Sequence, residues 1–249
     1  MLWVIPIGGK GTRTRALGEF KPFTEIKGHK MLLWFLFSVK KNIQPEDPFV
    51  FITTQYFESK FHVEAEIRKI FKLLGLSNKI IIRCLPETPQ GVSVALYESR
   101  DLLQVDGSVA IICPDRFIDL EIPEKIMPGT GFLSVGLDFG KERDYIKIEE
   151  GRVQLFVEKE HVSDCSSNGV FIVGSGKDLI QAIKEQLNNK IISANGEYRT
   201  GLAFNCLIER GYEIYPLIPK ACYSLGSVPS INYFSSTPIA ESLSQTMPR

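Results

Sequence analysis

The start of the chain combines glycines and basic residues in a pattern that suits a bound polyphosphate. An apolar segment at 2–7 is followed by the loop Gly8-Gly9-Lys10-Gly11-Thr12-Arg13. Because glycine has no Cβ, the backbone N–H groups of such a loop can come close to phosphate oxygens. Arginine adds a planar, permanently charged fork that matches phosphate. Four basic residues strengthen this prediction of a polyphosphate site: Lys10, Arg13, Arg15 and Lys21.

Two common phosphate-binding loops do not match the spacing. The P-loop requires GxxxxGK[ST], and no glycine pair here precedes Lys-Ser or Lys-Thr at that distance. The dinucleotide-binding fingerprint requires GxGxxG, but Thr14 stands where its third glycine belongs. A glycine turn that merely joins a strand to a loop is the alternative interpretation, and the basic cluster argues against it.

The elements that must position this loop alternate between strand and helix. Buried strands are predicted at 2–7, 48–53, 79–85 and 108–113, and helices at 31–41, 57–74 and 91–103. This alternation predicts an α/β fold with a Rossmann-like, mostly parallel sheet flanked by helices. Ligands of such sheets bind at the carboxyl ends of the strands, so we expect Gly8, Thr53 and Asp115 at one edge.

The second half has a different pattern. Short alternating strands are predicted at 131–136, 145–148 and 152–157, which indicates a β-rich lobe. Helices at 177–187 and 199–210 and a strand at 212–218 follow. Because no repeat or Pro/Gly/Ser-rich linker interrupts the chain, we expect one domain over 1–249, with a first half at 1–118 and a second half at 119–249.

The opening motif resembles that of the sugar-1-phosphate nucleotidylyltransferases, or NDP-sugar pyrophosphorylases. In outline that family reads GGxGTR, then PKP, then GKP[ML]L. Order and spacing are kept here, although Phe20 replaces the first proline of PKP and His29-Lys30 replaces Lys-Pro. The resemblance implies a nucleotide-diphospho-sugar transferase type of fold with a β-rich sugar-binding lobe. The matching residues are Gly8, Gly9, Gly11, Thr12, Arg13, Lys21, Pro22, Gly28, Met31 and Leu32.

The resemblance assigns roles to these residues. It implies that Arg13 and the loop grip the β- and γ-phosphates of a nucleoside triphosphate and that Lys21 neutralises the α-phosphate and the incoming phosphate. The loop residues that would bind nucleotide are Gly8, Gly9, Gly11 and Thr12.

Asp115 directly follows the strand at 108–113 and is the predicted metal ligand. A carboxylate there suits Mg²⁺, which favours oxygen ligands shared with substrate phosphates. An ordinary turn aspartate at a strand end is the alternative. Asp115 matches the metal-binding aspartate of the family's LxGD motif, with Pro114 in the glycine position, so the resemblance implies a catalytic role for it as well.

A segment before the third predicted helix matches the part of the family that contacts the nucleobase. Gln90-Gly91-Val92 stands where that family has LGT. A glycine at a helix start lets the backbone approach a flat ring, so Gly91 is a candidate for base binding. Gln90 is a second candidate, and a simple helix N-terminal turn is its alternative.

Two segments of the second half resemble the family's sugar-binding motifs FVEKP and N[AS]G[IV]Y. The resemblance implies that Lys159 pairs with the sugar phosphate and that Glu158 and Asn168 bind sugar hydroxyls, with Gly169 beside them. Carboxylates and amides can satisfy many hydroxyls at once. Without the resemblance, Glu158 and Lys159 would read as a solvated strand end.

The main departure from the family lies near the C-terminus. Residues 222–229 resemble the segment WxD[IV]GTP, and Ser224 stands where the second metal-binding aspartate belongs. A hydroxyl is a weaker magnesium ligand than a carboxylate. Asp115 and the substrate phosphates could still hold the metal, Glu197 could assist, or activity could be lost; the sequence leaves these alternatives open.

Composition excludes several classes of protein. The chain has 249 residues, and Lys plus Arg and Asp plus Glu each number 29, so nothing points to nucleic acid or an acidic membrane surface. The apolar start is too short for a signal peptide, and no segment reaches the roughly 20 apolar residues of a membrane helix. The five scattered cysteines indicate reduced thiols rather than disulfides or a zinc site. We expect a cytoplasmic protein. The oligomeric state is left open, and a homo-oligomer is one of the alternatives.

The leading hypothesis is therefore a magnesium-dependent transferase that makes an NDP-sugar from a nucleoside triphosphate and a sugar 1-phosphate. The family resemblance implies a bacterial setting in surface polysaccharide biosynthesis. A cytidylyltransferase for a phosphorylated non-sugar acceptor is the first alternative. A non-catalytic homologue that binds nucleotide or NDP-sugar and regulates a partner is the second, and Ser224 is the feature in its favour.

Overall fold

The computed structural model describes residues 1–9, 11–137, 144–158 and 160–248. Lys10 of the predicted basic cluster and Lys159 of the predicted acceptor site lie outside these residues. Among the described helices, none has both the length and the apolar character that a membrane span requires.

The first half alternates strands and helices, as predicted. Its strands are β1 Leu2–Pro6, β2 Glu25–Ile26, β3 His29–Lys30, β4 Phe49–Thr54, β5 Ile80–Leu85, β6 Val109–Ile112 and β7 Arg116–Asp119. Its α-helices are α1 Met31–Val39, α2 Gln55–Phe61, α3 Val63–Leu73, α4 Val92–Glu98 and α5 Arg100–Leu103. Short 3-10 helices follow the glycine loop at Thr12–Leu17 and Lys21–Phe23.

The second half begins with strands and ends with helices. Its strands are β8 Thr130–Leu137, β9 Asp144–Glu149, β10 Arg152–Glu158, β11 Cys165–Val173, β12 Glu213–Leu217 and β13 Ala221–Ser224. Its helices are α6 Gly176–Asn188, α7 Thr200–Glu209, α8 Val228–Ser235 and α9 Pro238–Thr246.

One sheet runs through both halves. β1 pairs in parallel with β4 and β6, and β4 pairs in parallel with β5. β11 then runs antiparallel to β6, and the sheet continues through it to β8, β9, β10 and β12. The predicted parallel sheet is confirmed for the first half, and the second half extends it with mainly antiparallel strands.

The two faces of the sheet bury separate apolar cores. In β1, Trp3 and Ile5 face a core that includes α1 and α3, whereas Leu2 and Val4 face a core that includes α6 and α7. This alternation follows from the two-residue period of a strand. Burial of one such side chain stabilises the fold by about 1.5–3 kcal/mol, so the two cores hold the strands of this sheet in place.

Two predicted helices are each divided in the structure. The predicted helix 57–74 breaks at His62, whose φ of 49° is left-handed, and so forms α2 and α3. The predicted helix 91–103 breaks at Ser99, which ends α4 and precedes α5. Apolar spacing continues through both breaks because the two pieces bury the same side, so periodicity alone does not reveal them.

The short antiparallel pair β7–β13 was not predicted, and it matters for the site. It sets Arg116 opposite Ser224. Pairing between segments so far apart in the sequence leaves no local periodicity to detect.

Candidate functional site

The glycine loop begins at the carboxyl end of β1 and packs against β4. A Cβ at Gly8 would lie 3.3 Å from backbone atoms of Thr53. The N–H of Ile7 donates to the carbonyl of Ile52 at 2.8 Å, which continues the parallel pairing up to the loop. Gly8 therefore allows close contact with the neighbouring strand, and the predicted meeting of the loop with Thr53 is observed.

Gly11 forms the turn that leads from the loop toward Lys21. Its φ is 58°, and a Cβ there would lie 3.0 Å from the Cβ of Lys21. The N–H and hydroxyl of Thr14 donate to the carbonyl of Gly11 at 3.0 and 3.2 Å. A side chain at position 11 would therefore be strained and would displace Lys21. Thr12 and Arg13, which follow this turn, are exposed.

Lys21 and Asp115 form the central contact of the site. The Nζ of Lys21 donates to Oδ2 of Asp115 at 2.6 Å, and the two side chains are 18% and 24% exposed. Burial alone would raise the pKa of this carboxyl. The charges of Lys21, Arg116 and Arg13 outweigh burial and hold the pKa of Asp115 below its usual range, so it is ionised at neutral pH.

The segment that contains Ser224 closes the other side of Asp115. The N–H of Leu225 donates to the backbone carbonyl of Asp115 at 2.7 Å. A Cβ at Gly226 would lie 3.1 Å from Oδ2 of Asp115 and 3.4 Å from Oγ of Ser224. The Oγ of Ser224 also accepts from the N–H of Gly226 at 3.2 Å. Ser224 is thus close to Asp115, at the position that the family resemblance implies.

Glu158 belongs to a second charged cluster, with Asp144 and Arg199. The Nη1 of Arg199 donates to both carboxylate oxygens of Asp144, at 2.9 and 3.0 Å. Its Nη2 lies 3.1 Å from Oε1 of Glu158, whose side chain is only 4% exposed. The N–H of Ala194 donates to Oε2 of Glu158 at 3.1 Å. Burial raises the pKa of Asp144, Arg199 opposes that rise, and Glu158 adds to it.

Asn168 and Gly169 are adjacent in β11 but have different surroundings. Asn168 is buried, and its Nδ2 approaches Oγ of Ser134 at 3.4 Å. Gly169, with a φ of 74°, lies beside the Asp115 cluster, because a Cβ there would be 3.4 Å from Cβ of Cys113 and 3.6 Å from Nε of Arg116. Of the two, Gly169 is the one that reaches the Lys21–Asp115 region.

Gln90 and Gly91 pack against the loop before α7. The N–H of Tyr198 donates to the carbonyl of Gln90 at 2.9 Å, and Nε2 of Gln90 donates to the carbonyl of Gly196 at 2.7 Å. A Cβ at Gly91 would lie 2.5 Å from the carbonyl oxygen of Tyr198. Close packing of two backbone segments is therefore enough to require glycine at position 91, whether or not a base binds there.

Comparison with known proteins identifies the fold. No protein-family model and no curated protein matches the sequence. Among solved structures, the nucleoside-diphosphate-sugar pyrophosphorylase of Vibrio cholerae RC9 superposes with a TM-score of 0.76 at 21% identity, over 95% of this chain and 100% of that one. A UDP-glucose pyrophosphorylase in complex with UDP-glucose superposes with 0.72 at 15% identity, over 96% and 98%. The inositol-1-phosphate CTP transferase of T. maritima gives 0.72 at 13% identity, over 99% and 95%.

The chain has the nucleotide-diphospho-sugar transferase fold. The fold prediction is therefore confirmed. The sequence identities are only 13–21%, so the likeness lies in the backbone fold and not in the sequence. Within this fold, the loop at Gly8, the end of β6 at Asp115 and the segment at Ser224 meet at the carboxyl edge of the parallel strands.

The donor set of the site fits a magnesium ion only in part. Within the described residues, no group of three or more His, Cys, Asp or Glu side chains could hold a metal ion. Among the described residues beside the Lys21–Asp115 contact, the candidate ligands are one carboxylate, Asp115, and one hydroxyl, Ser224. Mg²⁺ is often bound by one or two carboxylates together with substrate phosphates, so this set fits an ion that arrives with a triphosphate.

Sequence reasoning did not single out Arg116, Asp144 or Arg199. Arg116 directly follows Asp115 and could have been found from that position alone. Asp144 and Arg199 belong to a charge cluster that forms only in the folded chain, and neither stands in a recognisable motif.

Proposed function

We propose that the protein is a nucleotidylyltransferase. An oxygen of the phosphate of a sugar 1-phosphate attacks the α-phosphorus of a nucleoside triphosphate and forms a new P–O bond. The bond between the α-phosphorus and the bridging oxygen breaks, and its electron pair leaves with pyrophosphate. The products are an NDP-sugar and pyrophosphate. The observation that carries this proposal is the Lys21–Asp115 contact beside the glycine loop.

The nucleotide side of the reaction needs cations and backbone donors around a polyanion. Arg13, exposed after the loop, would contact the β- and γ-phosphates, and Lys21 would neutralise charge at the α-phosphate. Gln90 and Gly91 would bind the base. The residues that would surround the phosphates with backbone groups are Gly8, Gly9, Gly11 and Thr12.

The acceptor side is proposed at the second charged cluster. Glu158 is already held by Arg199 and by the N–H of Ala194, so its carboxylate is fixed in orientation before a sugar hydroxyl arrives. Asn168 and Gly169 remain predicted sugar-binding residues, although Gly169 lies beside Arg116 and Asn168 is buried against Ser134. Lys159 remains the predicted partner of the acceptor phosphate. Such fixed groups favour reaction by holding two polyanions in line.

Magnesium is part of this proposal. Asp115 and the substrate phosphates would hold the ion, with Ser224 as a neutral neighbour, and the ion would offset negative charge on the phosphates. Lys21 and Arg13 would also offset negative charge on the phosphates, so the protein supplies fixed positive charge of its own at this site.

A cytidylyltransferase for a phosphorylated non-sugar acceptor is the second candidate. The similarity to a structure named as an inositol-1-phosphate CTP transferase favours it. A non-catalytic nucleotide-binding homologue remains the third, on the strength of Ser224. The five free cysteines fit a reducing compartment, so we propose a cytoplasmic enzyme, and polysaccharide biosynthesis in a bacterium is its proposed setting.

The test is a pyrophosphate-release assay with ATP, GTP, CTP, UTP and dTTP. Each triphosphate is combined with a panel of sugar 1-phosphates, inositol 1-phosphate and phosphocholine, with and without Mg²⁺. We expect turnover with one base and one class of acceptor. Release with inositol 1-phosphate or phosphocholine alone would favour the second candidate, and no release from any combination would contradict transferase activity.

Matched variants separate chemistry from folding. Lys21→Met and Asp115→Asn should each lower kcat/KM by at least about 100-fold, because each removes charge next to the reacting phosphates. Lys41→Met and Asp119→Asn break a similar but more exposed ion pair and should leave kcat/KM within about twofold.

A further inference from the structure

Arg116 has an unsatisfied buried donor beside the proposed site. Within the residues that the structure describes, its Nε is buried and has no hydrogen-bond partner. Buried charged donors are normally paired, because an unmade hydrogen bond to a charged group is costly. The residue is half-buried as a whole, so part of its side chain still reaches the surface of the site.

The charge of Arg116 affects carboxylates in both halves of the site. Its positive charge contributes to the lowered pKa of Asp115 in the first half. Burial raises the pKa of Asp144 in the second half. The charge of Arg199 opposes this rise, and the charge of Arg116 opposes it to a smaller extent. In the described chain the ion pairs of these two carboxylates are with other cations, Lys21 for Asp115 and Arg199 for Asp144. The Nε of Arg116 is therefore left as a buried donor without a partner there.

Three small residues lie near this guanidinium. The missing Cβ of Gly169 would lie 3.6 Å from its Nε, and Ser224 faces Arg116 across the β7–β13 pair. Cys222 is the third neighbour: burial raises the pKa of its thiol, and Arg116 opposes the rise. A thiol is a weak acceptor and a glycine offers no side chain, so this surrounding does not satisfy the five donors of an arginine.

We propose that Arg116 binds the phosphate of the acceptor, between the Lys21–Asp115 contact and the Asp144–Glu158–Arg199 cluster. This inference rests on the proposed function and adds a residue to it. An arginine fork matches a phosphate monoester with two parallel hydrogen bonds, which fixes both the position and the orientation of the attacking oxygen. Its charge would also reduce repulsion between the acceptor phosphate and the α-phosphate of the nucleotide.

A purely structural role is the competing explanation. In that case the charge of Arg116 would only offset Asp115 and Asp144, and a water molecule would accept from Nε. A structural Arg116 would affect stability when it is replaced, but it would not affect phosphate affinity selectively.

The experiment is a calorimetric titration with inorganic phosphate as the probe. It compares wild type, Arg116→Gln, Arg116→Lys and the control Arg83→Gln, whose arginine pairs with Asp101 on the outer strand β5. The titrations are repeated with a saturating non-hydrolysable analogue of whichever nucleoside triphosphate the wild type binds. Thermal unfolding of each variant checks that it is folded, and Arg116→Lys carries the test if Arg116→Gln does not fold.

We expect Arg116→Gln to weaken phosphate binding by about 10- to 100-fold, the range for one or two hydrogen bonds to a charged group. Arg116→Lys should lie between it and wild type, and triphosphate affinity should stay within about twofold in every variant. Unchanged phosphate affinity in Arg116→Gln would overturn the inference, as would an equal loss of phosphate and triphosphate affinity. If the wild type binds no triphosphate, the proposed function fails. This result is distinct from a failure of the Arg116 inference, which phosphate affinity decides.

Discussion

At the scale of single residues, the ion pair between Lys21 and Asp115 is the main feature of the proposed site. It joins the loop after β1 to the end of β6, and the two side chains are about four-fifths buried. Removal of one partner leaves the other charge with little water, which is costly in a partly buried pair. The remaining exposure reduces this cost below that of a fully buried pair.

A double-mutant cycle measures the pair directly. With Lys21→Met, Asp115→Asn and the double variant, we expect a coupling free energy of about 1–3 kcal/mol in urea unfolding. The cycle of Lys41→Met with Asp119→Asn should give less than about 1 kcal/mol, since that pair is more exposed. Equal coupling in both cycles would contradict the burial argument.

The pH dependence of stability follows from the lowered pKa of Asp115. A carboxyl whose folded pKa lies below its unfolded pKa stabilises the fold above the unfolded value, about 3.9, and loses that contribution as the pH falls through the folded pKa. The wild type should therefore lose its stability advantage over Asp115→Asn in acid, below about pH 4. Urea unfolding from pH 6 to pH 2.5 measures the difference, and a difference that grows toward low pH would contradict the sign.

Ser224 makes a prediction about metal binding. Ser224→Asp adds a second carboxylate near Asp115 and should tighten the binding of Mn²⁺ without nucleotide by about tenfold or more, because affinity rises with ligand charge. Electron paramagnetic resonance of free Mn²⁺ measures this. Ser236→Asp, on an exposed residue, is the control. The same Mn²⁺ affinity in both variants would mean that position 224 is not a metal position.

At the residue scale, the sequence predicts a common edge for residues that directly follow strands, such as Gly8 and Asp115. Lys21 lies well after β1, so its contact with Asp115 is visible only in the folded chain. Arg116 stands next to Asp115, but the lack of a partner for its Nε in the described chain could not be read from that position. The pairing of Asp144 with Arg199 depends on how the second half folds and has no local signal.

At the scale of elements, the loop at 193–199 connects the proposed base and acceptor sides. Its backbone bonds to Gln90 on one side, and Ala194 and Arg199 hold Glu158 on the other. Binding on either side should therefore affect the order of the same loop.

Gly91 tests how tightly this loop is packed. Gly91→Ala would set a Cβ 2.5 Å from the Tyr198 carbonyl, in a residue whose φ is 106°, and should destabilise the protein by about 2–4 kcal/mol. Gly151→Ala has a similarly left-handed φ of 74° with open space around it and should cost about 1 kcal/mol. Urea unfolding compares the two, and equal costs would contradict the close approach.

Strands were predicted better than helix ends and short pairings. The predicted strands of the first half lie within one or two residues of β1, β4, β5 and β6, because continuous apolar runs specify buried parallel strands. The breaks at His62 and Ser99 depend on local backbone conformation, which apolar spacing does not encode. The β7–β13 pair forms between distant segments and could not be read from either one.

At the scale of the whole molecule, one sheet connects the two proposed substrate sides. β11 pairs with β6 in the first half and with β8 and β9 in the second, so the Asp115 and Asp144 regions lie on a continuous support. The overall likeness to two pyrophosphorylases and a CTP transferase at 13–21% identity agrees with a fold kept by its sheet while most side chains differ. The base and the acceptor are set by side chains around this support, and the sequence alone does not identify them.

The most direct test of a triphosphate site at the glycine loop is thermal unfolding with ATP, GTP, CTP, UTP or dTTP, each with and without Mg²⁺. A triphosphate at a hundred times its Kd should stabilise the wild type by about 2.7 kcal/mol, a rise in Tm of roughly 5–10 °C. We predict this rise for at least one triphosphate with Mg²⁺, and a much smaller rise in Lys21→Met. An unchanged Tm with all five triphosphates would contradict the claim.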